Sequence, residues 1–442
     1  KSPIVLGGGI VNNDAKYIMN LLKPDYCIIG EAEETIVKLA SGTIPPDIEN
    51  LGYWVDGKAV FTKENHEYGD INSRPFPDYD TFGIGEMLDK YSMATRLLYR
   101  YSRTHPRTMI ISTARSCPFN CTFCVHNHGS KYRARSIENI MAEIKEIYEK
   151  YKFNILITQD ELFAVNNKRM IEFCETLIKN KKKYGWDFDW MFQTHANAKL
   201  DLDTMKLAKE SGCFLFSYGL ESASPTVLKS MNKKTKVPQI IEAIEIAHKA
   251  KVGFAGNLIF GDPAETESTI YETMDFYAKH GQDDCIFLAH LMPYPGSKVF
   301  DYCMENGVIR DKLHYYENID NIMYNMTKIP VPVWETWMRF LGVLEQSWLW
   351  AKSTPITYYE EEKTDDAISS HFKMPIYNME ARCPHCESEM KFRQLFREIT
   401  EGKWQYLGGL CPICNRRVRI DVKPIHQINP ARAAVNENVM TV

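Results

Sequence analysis

The chain has 442 residues, 44% of them hydrophobic and 25% charged, with a formal net charge of −4. That apolar fraction is enough for ordinary buried cores and excludes a wholly disordered chain. The near-neutral charge is not that of a general nucleic-acid binder, and no uncharged apolar run reaches the roughly 18–20 residues of a membrane span.

The chain opens on Lys1, and Ile4-Val5-Leu6-Gly7-Gly8-Gly9 reads as a buried strand running into a turn. A fold rarely begins there, so an N-terminal portion is expected to precede it. No charged-then-apolar leader is visible. Residues 3–40 read as strand (4–6), glycine turn, helix, strand (26–29) and helix, the pattern of a parallel α/β sheet. We take residues 1–62 as one unit and the polar, Pro-punctuated residues 63–105 as a linker. From 106 to 315 short apolar strands recur at 109–112, 155–158, 190–194, 214–218, 254–260 and 285–290, with helical stretches between them. Ile137, Ile140, Met141, Ile144 and Ile147 mark one apolar helix face, and Ile240, Ile244 and Ala247 another. Six strand–helix units predict an α/β fold, a partial (β/α)6 barrel, with an open doubly wound sheet as the alternative. In either, functional groups gather at the C-terminal ends of the strands. Residues 316–379 are expected to form a helical extension whose Trp334, Trp337, Trp348 and Trp350 either pack or wall a substrate. Residues 380–424 form a Cys-rich module, and 425–442 a tail.

Of twelve cysteines, Cys27, Cys174, Cys213, Cys285 and Cys303 stand singly and read as small buried apolar residues. The remaining seven form two groups. Cys117, Cys121 and Cys124 lie within Arg115-Ser116-Cys117-Pro118-Phe119-Asn120-Cys121-Thr122-Phe123-Cys124, directly after the first barrel strand. Three thiolates on one loop can ligate three irons of a [4Fe–4S] cube and leave the fourth iron open. The alternative is a structural zinc loop, with His126 or His128 as fourth ligand. Cys383-Pro384-His385-Cys386 and Cys411-Pro412-Ile413-Cys414 are two knuckles separated by 24 residues. Four thiolates suit a closed tetrahedral Zn²⁺ site, in preference to a second iron–sulfur cluster. Stretches 390–396 and 404–407 are expected to form a hairpin between them. Residues 381–424 carry nine Lys/Arg and five Asp/Glu, a net +4. This basic face, with Arg416, Arg417 and Arg419, is either solvated or a contact for nucleic acid, phosphorylated substrate or protein.

The CxxxCxxC loop, with Phe123 before its last Cys, resembles the radical S-adenosylmethionine (SAM) superfamily. Asp160-Glu161, Gly219-Leu220-Glu221-Ser222, Asn257 to Thr266 and Met292 to Ser297 resemble that family's SAM-binding strand ends in order and spacing. The resemblance implies that Cys117, Cys121 and Cys124 hold the cluster and that the open iron chelates the amino and carboxylate groups of SAM. It implies that Glu161 or Asp160 accepts hydrogen bonds from the methionyl ammonium. Glu221, with Ser222, would hold the ribose hydroxyls or a nearby polar group. Phe123, Ile259 and Gly261 would border the adenine. Arg135 and Ser136 would either meet the methionyl carboxylate or cap a helix. The family's chemistry is reductive cleavage of SAM to a 5′-deoxyadenosyl radical that takes a hydrogen atom from substrate.

Residues 3–40 resemble the last third of the Rossmann-like cobalamin-binding domain that precedes the barrel in one radical SAM class, with Gly7, Gly8 and Gly9 close to the cobalamin tail. The class's Asp-x-His-x-x-Gly motif is absent from this chain. Where the family often has Arg after the third strand, this chain reads Gln193-Thr194-His195, and His195 is either packed or a proton relay. The resemblance implies cobalamin-dependent methylation of an unactivated carbon, with ring formation or rearrangement as variants. It also implies a low-potential electron donor such as flavodoxin or ferredoxin and a cytoplasmic setting. The alternatives are a radical SAM enzyme without cobalamin acting on RNA or a carrier protein, and a non-enzymatic zinc-ribbon interaction protein. Nucleic acid is not favoured, because no dedicated RNA-binding domain is visible.

Overall fold

A computed structural model describes residues 2–65, 69–91, 107–126, 129–319, 322–345, 354–360, 376–396 and 406–421. His128, Trp348, Trp350, Trp404 and the 425–442 tail lie outside the described residues.

The N-terminal unit is a four-stranded sheet of β1 (Val5–Leu6), β2 (Tyr26–Ile28), β3 (Leu51–Val55) and β4 (Lys58–Phe61) in that order. Strands β1 and β2 are parallel, as expected, with the helix Gly9–Leu22 crossing between them. Strands β3 and β4 add an antiparallel hairpin that the sequence reading missed. Its signal is Asp56-Gly57, which turns with φ of 48° and 74°, the left-handed pair of a two-residue hairpin turn.

The centre of the molecule is a six-stranded sheet of β5 (Thr108–Ile111), β8 (Ile155–Thr158), β9 (Asp189–Thr194), β10 (Cys213–Glu221), β11 (Gly253–Phe260) and β12 (Cys285–His290). The two-residue β6 (Ala114–Arg115) and β7 (Arg133–Ala134) form a separate ribbon after β5. All six central strands are parallel, and their spatial order follows the chain. A doubly wound sheet reverses its order at a switch point. No reversal occurs here, so the partial (β/α)6 barrel is the correct alternative. Helices cover the outer face, which makes strands such as β10 buried on both sides. The core is aromatic: Phe192 and Phe216 stack at 5.6 Å between ring centroids, and Trp190 packs on Phe173 at 4.8 Å.

The helix Ile137–Tyr151 shows why the sequence folds this way. Ser136 caps it by accepting from the Asn139 N–H, and Lys152 ends it in the left-handed region. Ile137, Ile140, Met141, Ile144 and Ile147 are its buried face. After β12, Trp334 of the helix Val331–Glu345 is buried against His290, and Trp337 stands edge-on to Tyr271. Both pack, as the simpler of the two expectations required.

Residues 316–379 are not helical throughout. Thr354–Glu360 (β13) and Ile376–Arg382 (β14) are strands, in keeping with the β-branched and aromatic run Thr354-Pro355-Ile356-Thr357-Tyr358-Tyr359. They pair with β15 (Glu389–Phe396) in an antiparallel sheet. Among the described residues, 390–396 and 406–407 of the expected hairpin do not pair with each other. Each CPxC knuckle is itself a turn, so β15 pairs back on β14 and β16 (Tyr406–Leu410) pairs on β17 (Arg417–Asp421).

Ile144 has no exposed surface. Ile144→Ala is expected to lower barrel stability by about 2–5 kcal/mol, measured by urea unfolding, whereas Lys145→Ala on the exposed face should stay within about 0.5 kcal/mol.

Candidate functional site

The three-cysteine loop leaves the sheet through β6 and returns through β7. Ser116, fully buried, enters it with φ of 71°, an uncommon conformation for a residue with a side chain. Backbone bonds pin the loop. Thr122 N–H donates to Met231 O at 3.0 Å, and Val299 N–H donates to Thr122 O at 3.1 Å. The Asn232 amide donates to Asn120 O at 2.7 Å.

Burial raises the pKa of Cys117 and Cys121. Burial, with the charges of Cys121, Glu161 and Cys117, pushes Cys124 up to about 12. Three such thiols become thiolates together only when cations take them. Among the described residues only Cys383, Cys386, Cys411 and Cys414 bring three or more His, Cys, Asp or Glu ligand atoms within 4.8 Å of one another. The loop thiols and His126 are not gathered so closely, which disfavours a single zinc ion and suits a larger multi-iron cluster. Both ring nitrogens of His126 are buried without partners.

The two carboxylates after β8 have different surroundings. Asp160 accepts from Thr113 N–H at 2.6 Å, Thr113 Oγ1 at 2.5 Å and Ala114 N–H at 2.9 Å. Both of its oxygens tie the end of β8 to the turn after β5. Glu161 has a buried, unpartnered Oε2, and burial raises its pKa. A buried carboxylate with an orphan oxygen is an acceptor in want of a cation, and it fits the methionyl ammonium.

Glu221 sits at a register shift between β10 and β11 with φ of 65°. A bulge of this kind re-aims a side chain. Its Oε1 takes an ion pair from Lys233 at 2.7 Å, both side chains nearly buried. Burial works against the charge on Lys233, but Glu221, Cys121 and Cys117 outweigh it and hold the lysine's pKa above its ordinary value. The sequence reading missed this lysine because nothing local in Met231-Asn232-Lys233-Lys234 distinguishes it from a surface residue. Ser222 is buried and tied to Thr273 and Ser224, so it shapes the turn. Arg135 is also spent internally, on Glu143, Asn139 and Ser112 O. Ser136 Oγ caps the helix by accepting from the Asn139 N–H, one of the two expectations for it.

Phe123 and Ile259 pack against the same apolar cluster, as a shared apolar wall requires. Gly261 has φ of 119°, and a Cβ there would lie 3.3 Å from Trp334. Its N–H donates to Glu265 Oε2 at 2.5 Å. Burial raises Glu265 to about 8, so it holds a proton at neutral pH. His195 is buried, stacked on Phe119 at 4.0 Å. Burial, reinforced by the Lys233 charge, pushes its pKa down to about 3. It is a packed, neutral histidine, not a relay that titrates near neutrality.

The N-terminal unit meets this rim. A cavity of about 560 Å³ is lined by Gly9, Asn13, Phe123, Cys124, Tyr294 and Tyr316, among others. Gly8 has φ of 90°, and a Cβ there would meet nothing within 4 Å. The exposed glycine turn borders the cavity through Gly9. Asp14 holds the unit down by accepting from Tyr316 Oη at 2.6 Å and pairing with Lys312 at 2.5 Å.

At the opposite end, Cys383 and Cys414 Sγ lie 3.8 Å apart, and Cys386 and Cys411 Sγ 3.7 Å apart. A tetrahedron with metal–sulfur bonds of about 2.3 Å has edges of about 3.8 Å, so the four thiols fit Zn²⁺. Leu410 joins Ile155, Phe214, Leu215, Ala255 and Cys285 in one buried cluster, at the N-terminal ends of the strands. Asn415 donates to Lys251 O at 3.0 Å, and Arg417 N–H donates to Asp283 O at 2.8 Å. Arg416 pairs with Asp283 at 3.3 Å, and the buried Arg417 lies 4.9 Å over the Phe287 ring. These two arginines dock the module on the barrel.

Residues 111–277 match the model of the radical SAM superfamily, so this stretch is a radical SAM domain. The chain is 28% identical over 306 residues to an uncharacterized methyltransferase of Pyrococcus horikoshii, covering 68% of this chain and 62% of that protein. It is also 28% identical over 220 residues to the anaerobic magnesium-protoporphyrin IX monomethyl ester cyclase of Cereibacter sphaeroides, covering 49% of this chain and 35% of that one. The chain thus spans less than two thirds of the length of these curated relatives. The structure of the radical SAM methyltransferase TsrM of Kitasatospora setae, with cobalamin and a [4Fe–4S] cluster bound, superposes with a TM-score of 0.54. The match has 14% identity and covers 70% of this chain and 59% of that one. It shows a shared fold.

The raised pKa of Glu265 carries a stability consequence. Its contribution is complete below the ordinary value of 4.5 and is lost as pH rises through about 8. Glu265→Gln, which keeps the shape without the charge, is expected to flatten the fall in melting temperature over that window.

Proposed function

Because the barrel is a radical SAM domain, we propose that the chain belongs to a cobalamin-dependent radical SAM enzyme that transfers a methyl group to an unactivated carbon. The observation that carries this reading is the rim itself. Three half-buried thiols, an orphan acceptor on Glu161 and a cavity bordered by the glycine turn of the N-terminal unit converge at one end of the barrel. The Pyrococcus horikoshii methyltransferase among the relatives supports methylation.

In this reading Cys117, Cys121 and Cys124 hold three irons of a [4Fe–4S] cluster and leave the fourth for SAM. Glu161 accepts from the methionyl ammonium. Lys233, held by Glu221, offers a buried cation to an anionic group of SAM, and Glu221 is left to share its other oxygen with the ribose. Phe123 and Ile259 border the adenine, and Gly7, Gly8 and Gly9 leave room for cobalamin. When bound, these cofactors supply the electron and the methyl carrier for reductive SAM cleavage and methyl transfer. The protein's part is to orient SAM against substrate and to exclude water from the radical. The electron comes from a low-potential flavodoxin or ferredoxin in the cytoplasm. No helix among the described residues is long and apolar enough to cross a membrane. Zn²⁺ sits in the C-terminal four-cysteine site, remote from the chemistry.

The test uses the full chain, purified without oxygen and supplied with iron, sulfide, cobalamin, reductant and methyl-labelled SAM. Mass spectrometry is expected to find 5′-deoxyadenosine and S-adenosylhomocysteine together. Deoxyadenosine alone would shift the assignment to ring formation, the chemistry named for the Cereibacter relative. Cys117→Ala is expected to abolish both products with the fold intact by circular dichroism, and continued SAM cleavage by this variant would refute the cluster assignment. Elemental analysis is expected to find one zinc per chain, lost in Cys414→Ser while loop iron is retained.

A further inference from the structure

The ribbon that closes the three-cysteine loop contains an electrostatic conflict. Strands β6 and β7 pair in register with Arg115 directly opposite Arg133. Like charges facing each other across an antiparallel pair push it apart. Both guanidiniums are largely withdrawn from solvent, with side chains 22% and 13% exposed, so water screens them poorly. These two residues are the first and last anchors of the loop that carries Cys117, Cys121 and Cys124.

The charge that resolves the conflict comes from the other unit. Glu31 follows β2 of the N-terminal sheet, and its side chain is 3% exposed. One oxygen, Oε2, accepts from Arg115 Nη1 at 2.9 Å and from Arg133 Nη1 at 3.2 Å. The other, Oε1, accepts from Arg133 Nη2. Glu33 adds a bond to Arg115 Nη2 at 2.6 Å. The turn bearing Glu31 is itself fixed, because Gly30 N–H donates to Asn12 Oδ1 at 2.8 Å, and Asn12 lies in the helix that follows the glycine turn.

We infer that Glu31 is a positioning residue for the cluster loop: by bridging Arg115 and Arg133 it makes closure of the loop base depend on docking of the N-terminal unit. The unit that borders the cavity thereby sets the geometry of the three thiols without touching them. By reciprocity, whatever stiffens the loop holds the N-terminal unit more firmly. This rests on the cluster reading of the loop, but its primary test does not.

Hydrogen exchange of the full chain, followed by mass spectrometry, reads the loop directly. Glu31→Gln removes the one carboxylate that bridges the two facing guanidiniums, Glu33 touching Arg115 alone of the two, and is expected to speed exchange across residues 114–134 by about tenfold or more. Exchange in the helix Ile137–Tyr151 and in β9 should be unchanged. In the double variant Glu31→Gln/Arg133→Gln one of the two repelling charges is gone, and slow exchange is expected to return in large part. A role in packing alone predicts the opposite, a double variant at least as open as the single one. After anaerobic reconstitution, Glu31→Gln is expected to bind less iron and to show an altered response of its reduced-cluster electron paramagnetic resonance spectrum to SAM, both recovered in the double variant. Unchanged exchange in Glu31→Gln, or no recovery in the double variant, would overturn the inference. A wild-type chain that binds no cluster yet shows the exchange pattern would overturn the functional reading and leave the latch standing.

Discussion

Every strand of the central sheet runs in one direction, and the rest of the molecule follows from that constraint. Parallel strands need helical crossovers, which here cover the outer face while strand side chains fill the inside, so each strand can be apolar throughout. With strand order following chain order, all six C-terminal ends open on one rim. Residues as far apart in sequence as Cys117, Glu161, Glu221 and Ile259 are thereby brought to one place without any long-range signal between them.

The rim is buried, and burial sorts its polar groups. A charge in a poorly solvated site is paired, neutralised or waiting for a ligand. Asp160 is paired by backbone donors of the neighbouring turn, Glu265 keeps its proton, His195 loses its own, and Lys233 is held by Glu221. Glu161 and Glu265 each keep one buried oxygen without a partner, and that of Glu161 lies on the side of the cysteine loop, near enough to bear on the charges of Cys117 and Cys124. Residues of the same chemical type thus divide into structural and functional ones by what surrounds them.

The two ends of the barrel are closed by different means. The C-terminal module inserts Leu410 among the first residues of the strands and anchors its arginines on Asp283 and Phe287. The N-terminal unit sits at the other end, held by Asp14 to the helix Lys312–Asn318 and by Glu31 and Glu33 to the base of the cysteine loop. The first closure is largely apolar and is organised by four thiols. The second is ionic, and it joins a glycine-lined cavity to the loop that faces it.

The alternation of strands and helices, the apolar helix faces, the CxxxCxxC loop and the two CPxC knuckles were all legible in the amino-acid order, because each depends on spacing within a few residues. Turn geometry is local, so the four cysteines of the two knuckles lie together as their spacing led one to expect. The partners of the charged residues were not legible, and they came from the assembled fold. Asp160 and Glu161 are adjacent and chemically alike, and only the approach of Thr113 separates their roles. Arg135 is taken by Glu143, and Arg417 by the barrel, contacts that no local pattern announces. Lys233 meets Glu221, and Glu31 the two arginines at the base of the cysteine loop, because folding brings separate segments together and the low dielectric there makes each pairing matter.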